Sequence, residues 1–101
     1  MTDQLTHEAL TNNLETKFRT LAGPDKYVEL ELIEVSALAL FPHQEQFTII
    51  FRGPREAALG QGMRLFAHEN LGESEVFIVP IRNDSQYFYY EAVFNRLRNP
   101  S

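Results

Sequence analysis

The sequence predicts a mainly β protein: an antiparallel meander that closes as a small barrel or sandwich, preceded by a short N-terminal helix. Three observations carry this. Apolar and polar residues alternate with period two in several short runs, as in Val28, Leu30 and Leu32 against Glu29 and Glu31. Turn-forming residues (Gly23-Pro24-Asp25, Gly53-Pro54, Asn70-Leu71-Gly72, Asn83-Asp84-Ser85) separate those runs at short intervals. The run from Tyr87 to Phe94 is apolar on both sides. Phe88, Tyr90, Ala92 and Phe94 share one face, while Tyr87, Tyr89, Glu91 and Val93 share the other. A strand of that kind is expected in the middle of the sheet, covered on both faces.

The helix comes first. Thr6 is placed to cap it, Glu8 falls in the first turn where the helix dipole favours an anion, and Leu5 and Leu10 occupy the positions of a hydrophobic staple. Its end is ambiguous from the residues alone. Leu10, Leu14, Phe18 and Leu21 keep helical spacing up to Gly23-Pro24, yet Asn12-Asn13 favour a stop and the residues beyond alternate like a strand.

Tyr27 to Val35 reads as a strand with one wet face. Ile33 and Val35 shift to the glutamate side, which predicts a bulge near Glu34. Ser36 to Gln46 has no clear period, and Pro42 ends its apolar part. Phe47, Ile49 and Phe51 define the next strand, closed by Gly53-Pro54. A connection with one helical turn at Arg55 to Leu59 leads to a strand from Met63 to His68, and Gly72 supplies the positive φ of a hairpin turn. In Glu75 to Ile81, Pro80 suits an edge strand or a strand end. Residues 1–101 form one domain, without repeat or linker.

Composition narrows the function classes. A net charge of −5 argues against nucleic acid or an anionic membrane as the main partner. With no cysteine, thiolate metal sites and disulfides are excluded. The start of the chain has neither a basic nor an apolar signal region, and no apolar run approaches a membrane span, so a cytoplasmic location is expected.

No catalytic, cofactor-binding or metal-binding motif is present. The three histidines lack the i, i+4 spacing of a zinc helix. Gly53 to Gly62 resembles a phosphate loop only in its glycines, because Met63-Arg64-Leu65-Phe66 behind it reads as a strand. None of Ser36, Ser74 or Ser85 lies in a nucleophile elbow. The residues that stand out are structural or interface candidates. His68, at a strand end before a tight turn, is placed to hold the hairpin by a hydrogen bond. Glu91, inside the aromatic strand, requires a cation if buried, which Arg52, Arg82 or Arg96 can supply. Tyr87 and Tyr89 suit core packing or a protein interface better than base stacking, since no basic residues interleave with them.

Phe51-Arg52-Gly53-Pro54, Gln61-Gly62, His68 with Leu71-Gly72, Phe77 to Ile81 and Tyr90 to Arg96 together resemble the pattern of an uncharacterised family of small bacterial proteins, a domain of unknown function. The likeness runs from about Leu5 to Arg96 and departs in a longer, more charged Pro54–Gly60 connection. It implies a short amphipathic helix ending near Asn13 before a strand-rich body. It further implies companionship with phage-tail-collar-like fibre proteins, hence an assembly or accessory role. The function expected is therefore a non-enzymatic interaction module that docks to a protein partner or to itself. The alternative is a β-barrel with a small apolar ligand inside.

Overall fold

A computed structural model describes residues 5–97. One helix, α1 (His7–Thr11), precedes seven strands: β1 (Lys17–Gly23), β2 (Lys26–Val35), β3 (Ala39–Leu40), β4 (Gln44–Pro54), β5 (Gly62–His68), β6 (Gly72–Asn83) and β7 (Tyr87–Leu97). The sheet order β2-β1-β5-β6-β7-β4-β3, with β2 also pairing β4, closes a six-stranded antiparallel barrel. Short β3 is an extra rung on the start of β4.

The barrel consists of two three-strand meanders, β1-β2-β4 and β5-β6-β7, laid edge to edge. The joint between β4 and β7 is long, with every residue from Gln44 to Pro54 in register with Leu97 to Tyr87. The other joint, β1 to β5, is held by the single pair Arg19–Ala67 and by the Thr20 hydroxyl, which donates to the Leu65 carbonyl at 2.8 Å. β7 is thus internal, as its aromatic content predicts. Its outer face, however, is not covered. A small barrel has one interior, so only Tyr90 and Ala92 are fully buried, while Val93 points to solvent.

Most local expectations hold. The Thr6 hydroxyl accepts from the Ala9 amide at 3.0 Å, Leu5 and Leu10 are both buried, and the helix stops at Asn12. The stop is fixed by Asn13, whose side-chain amide donates to the Ala9 carbonyl at 2.7 Å. The bulge in β2 falls between Leu32 and Glu34. Gly72 has φ 73°. Pro80 differs from its expected position at a strand end or sheet edge. It lies inside β6, opposite Tyr90, and the register slips between Pro80 and Arg82. A bulge accommodates the missing N–H.

Three phenylalanines from three strands fill the barrel. Phe51 stacks on Phe66 at 5.3 Å, and Phe18 meets Phe51 edge-on at 5.2 Å. Leu30, Leu32, Ile49 and Ile78 complete the interior. One end is closed by α1 and the other by the connection after β4, where a 3-10 turn (Arg55–Ala57) leads to buried Leu59. The Leu59 amide donates to the Tyr90 hydroxyl at 3.0 Å, satisfying the polar tip of a fully buried ring.

Gly53 is there because β4 and β2 approach too closely for a side chain. A Cβ at Gly53 would lie 2.3 Å from Leu30 Cδ2, and Leu30 is completely buried. Gly53→Ala is expected to destabilise the protein by about 1–3 kcal/mol, with part regained in Gly53→Ala/Leu30→Val. Urea unfolding measures both, and an unchanged midpoint in the single variant would refute the close approach.

Candidate functional site

The period-two alternation of the strands and the closed register bring distant residues into one outer row. Lys17 stands opposite Glu31, Glu31 opposite Arg52, Arg52 opposite Tyr89, and Tyr89 opposite Arg82. Arg52 Nε and Nη2 both lie 2.9 Å from Glu31 Oε1, and the guanidinium carbon is 4.4 Å from the Tyr87 ring centroid. The carboxylate of Glu31 raises the Arg52 pKa and keeps it charged. Arg82 covers Tyr89 at 4.4 Å, and Tyr87 and Tyr89 meet edge to face at 6.2 Å.

The turn between β6 and β7 anchors this cluster. Asp84 Oδ1 accepts from the amides of Gln86 (2.9 Å) and Tyr87 (2.8 Å), and Oδ2 accepts from the Tyr89 hydroxyl at 2.8 Å. The Gln86 amide, the Tyr89 hydroxyl and the Tyr87 amide hold the Asp84 carboxyl below its usual range, and the bond to Asp84 raises the Tyr89 phenol. Arg55 braces the same turn, donating to Asn83 Oδ1 and to the Asp84 carbonyl, both at 2.7 Å. The cations and rings are held in fixed positions by neighbours, and the tyrosine is kept protonated.

Of the residues singled out from sequence, Arg52, Tyr87 and Tyr89 come together here. Glu91 stands apart from them, half-buried, opposite Ile50 and Val79. It has no ion-pair partner among the described residues. The cations expected to reach it are engaged elsewhere: Arg52 with Glu31, Arg82 over Tyr89, and Arg96 with the Leu5 carbonyl. A half-exposed carboxylate is hydrated, so burial does not demand a partner.

Arg96 and His68 act at the opposite end, around α1. Arg96 covers Phe94 at 5.1 Å while it donates to Leu5, fixing the segment before the helix. His68 is buried, and its Nδ1 accepts from the amides of Asn70 (2.9 Å) and Leu71 (3.2 Å), so it does hold the hairpin. With Nδ1 an acceptor, the proton sits on Nε2, which donates to Thr16 Oγ1 at 2.7 Å. The Thr16 hydroxyl passes the chain on to the Asn13 carbonyl at 2.6 Å. Among the described residues, no three His, Cys, Asp or Glu side chains gather as metal ligands. No helix among them is long and apolar enough to cross a membrane.

Asp84 and Arg55 escaped sequence reasoning. Asp84 had a usable signal, an aspartate leading a Ser-Gln turn into a strand, which is where an Asx turn forms. Arg55 had none, since its partners lie 28 and 29 residues away.

Comparison with protein families matches residues 5–94 to one model, described as a domain of unknown function (DUF6916). No curated protein and no solved structure matches.

Proposed function

Because the chain belongs to the DUF6916 family, a domain of unknown function, we propose from its own surface that it is a non-enzymatic interaction or assembly module. It works in the bacterial cytoplasm as an accessory to a phage-tail-like or fibre protein and docks through the outer face of β5 and β6. The observation that carries this reading is a group of large apolar side chains left outside the barrel. Met63 (60% exposed) stands directly opposite Phe77 (46% exposed) across the β5–β6 ladder, with exposed Leu65 next to Met63 on the same face of β5. Val93, on β7, extends the exposed set at 56%. Single exposed apolar residues are ordinary, whereas neighbours across adjacent strands form a face that a second surface can cover.

The fibre-protein partner is supported by the motif likeness between Phe51 and Arg96, and the docking mode by the exposed face. The alternative, an apolar ligand inside the barrel, has no such support. Phe18, Phe51, Phe66 and Tyr90 occupy that space.

Light scattering after size exclusion tests the reading, together with capture of partners from the native cells. Wild type is expected either to exceed the 11.7 kDa monomer mass or to retain a fibre-like protein. Phe77→Lys is expected to abolish both while shifting stability by no more than about 0.5 kcal/mol, as an exposed site should. A strictly monomeric wild type that retains no partner would overturn it.

A further inference from the structure

We infer that the outer face of β5 and β6 takes a second copy of this chain, with Arg19 of each copy paired to Glu73 of the other across a two-fold axis along β5. The inference rests on the docking role proposed for that face and narrows the partner to the chain itself.

Alternation along the strands puts the contributing side chains on one outer surface. Phe18 and Thr20 are buried, which turns Arg19 outward, and buried Phe66 and His68 do the same for Ala67. Buried Val76 and Ile78 likewise turn Phe77 and Glu73 outward. Arg19 stands opposite Ala67, and Ala67 stands opposite Glu73. A cation and an anion therefore flank β5, one strand to either side and about 10 Å apart at the usual strand spacing. Further along the same face of β5, Leu65 and Met63 are 52% and 60% exposed, and Phe77 lies opposite Met63 on β6.

Both charges are free for a contact. Arg19 and Glu73 are exposed, and neither has an ion-pair partner among the described residues. Arg19 faces Glu29 across the β1–β2 ladder without reaching it, and its guanidinium lies over the Tyr27 ring at 5.7 Å instead.

An isologous interface must be its own complement, so features at equal distances on the two sides of the axis have to match. A two-fold axis along β5, in the plane of contact, carries β1 of one copy over β6 of the other. It sets Arg19 against Glu73 twice, brings Leu65 and Met63 against their own counterparts, and covers both Phe77 rings beside them. A foreign surface would require no such balance of opposite charges about the central strand. Each copy carries a net charge of −5, but that repulsion is screened beyond about 8 Å at physiological ionic strength, while the two pairs act in contact.

Light scattering after size exclusion, on the whole protein and its charge variants, tests the pairing. Wild type is expected at twice the 11.7 kDa monomer mass. Arg19→Glu sets anion against anion and Glu73→Arg sets cation against cation. Each alone should raise the dissociation constant at least about tenfold, and run as a monomer at a loading where wild type is a dimer. An equimolar mixture of the two variants should recover the dimer, because each position 19 again meets the opposite charge at position 73. Chains that had merely misfolded could not rescue one another, so recovery separates a contact from damage to the fold. A dimer that persists in Arg19→Glu, or variants that stay monomeric when mixed, overturns the inference. So does a monomeric wild type. If that monomer retains another protein through Phe77, the docking role of the face survives; if it retains none, both readings fall.

Discussion

Phe18→Ala is expected to cost about 3–5 kcal/mol of unfolding free energy, as deletion of a large buried ring does when its surroundings cannot collapse. Phe18 is only 2% exposed. Its ring meets Phe51 at 5.2 Å, Phe66 at 6.4 Å and His68 at 4.4 Å, so it touches elements of both meanders. The joint it spans, β1 to β5, is also the one with a single paired register position. Side-chain packing there does what backbone ladders do at β4–β7. A domain of this size has about 5–15 kcal/mol in total, so the loss takes a large share of it. Urea unfolding measures the effect, with Val93→Ala as an exposed control expected within about 0.5 kcal/mol of wild type. A Phe18→Ala midpoint close to that of the control would mean that the β1–β5 joint does not depend on the aromatic cluster.

That weak joint also marks where reading the sequence stops working. Thr6, Gly72 and the alternating strands could all be placed in advance, because each signal lies within a few residues of its effect, whereas the helix end near Asn13 followed only from the family likeness. The pairing of β4 with β7 could not, since both strands read equally well beside several others and nothing local chooses between them. The same holds for the candidate site. Arg52 stood out as a cation in a strand, but its partner Glu31 was read as part of a solvated row, and only the register Glu31–Arg52 joins them. Glu91 shows the converse error. A carboxylate in an aromatic run looks buried on paper, whereas the barrel turns its face outward. Judging which face of a two-sided strand is wet requires the closed topology, and the exposed Met63, Phe77 and Val93 became visible for the same reason.

His68→Ala is the second large loss expected, about 1–3 kcal/mol, because it leaves the amide of buried Leu71 without its acceptor, while that of exposed Asn70 can turn to water. It also cuts the route from the β5–β6 hairpin through Thr16 to Asn13, and so loosens the helix end. His68→Phe, which keeps the ring volume against Phe18 but accepts nothing, should lose nearly as much. The same geometry makes stability depend on pH. Burial lowers the His68 pKa below the ordinary 6.5, with the nearby Glu69 carboxylate opposing, so the folded protein favours the neutral ring. Protonation would place a hydrogen on Nδ1 facing two N–H donors. Lys17, Arg19, Glu29 and Glu69 border the same hollow. For a depressed native pKa, the unfolded chain binds the proton first as pH falls. The contribution is therefore complete above 6.5, declines as pH drops from there through the native value, and is constant below it. Subtracting the His68→Ala stability profile from that of wild type isolates the His68 share. That difference should shrink steadily from pH 7 towards acid. A flat difference would show that the imidazole is not an acceptor in the turn, and a difference that grows on acidification would place the proton on Nδ1 in the native state.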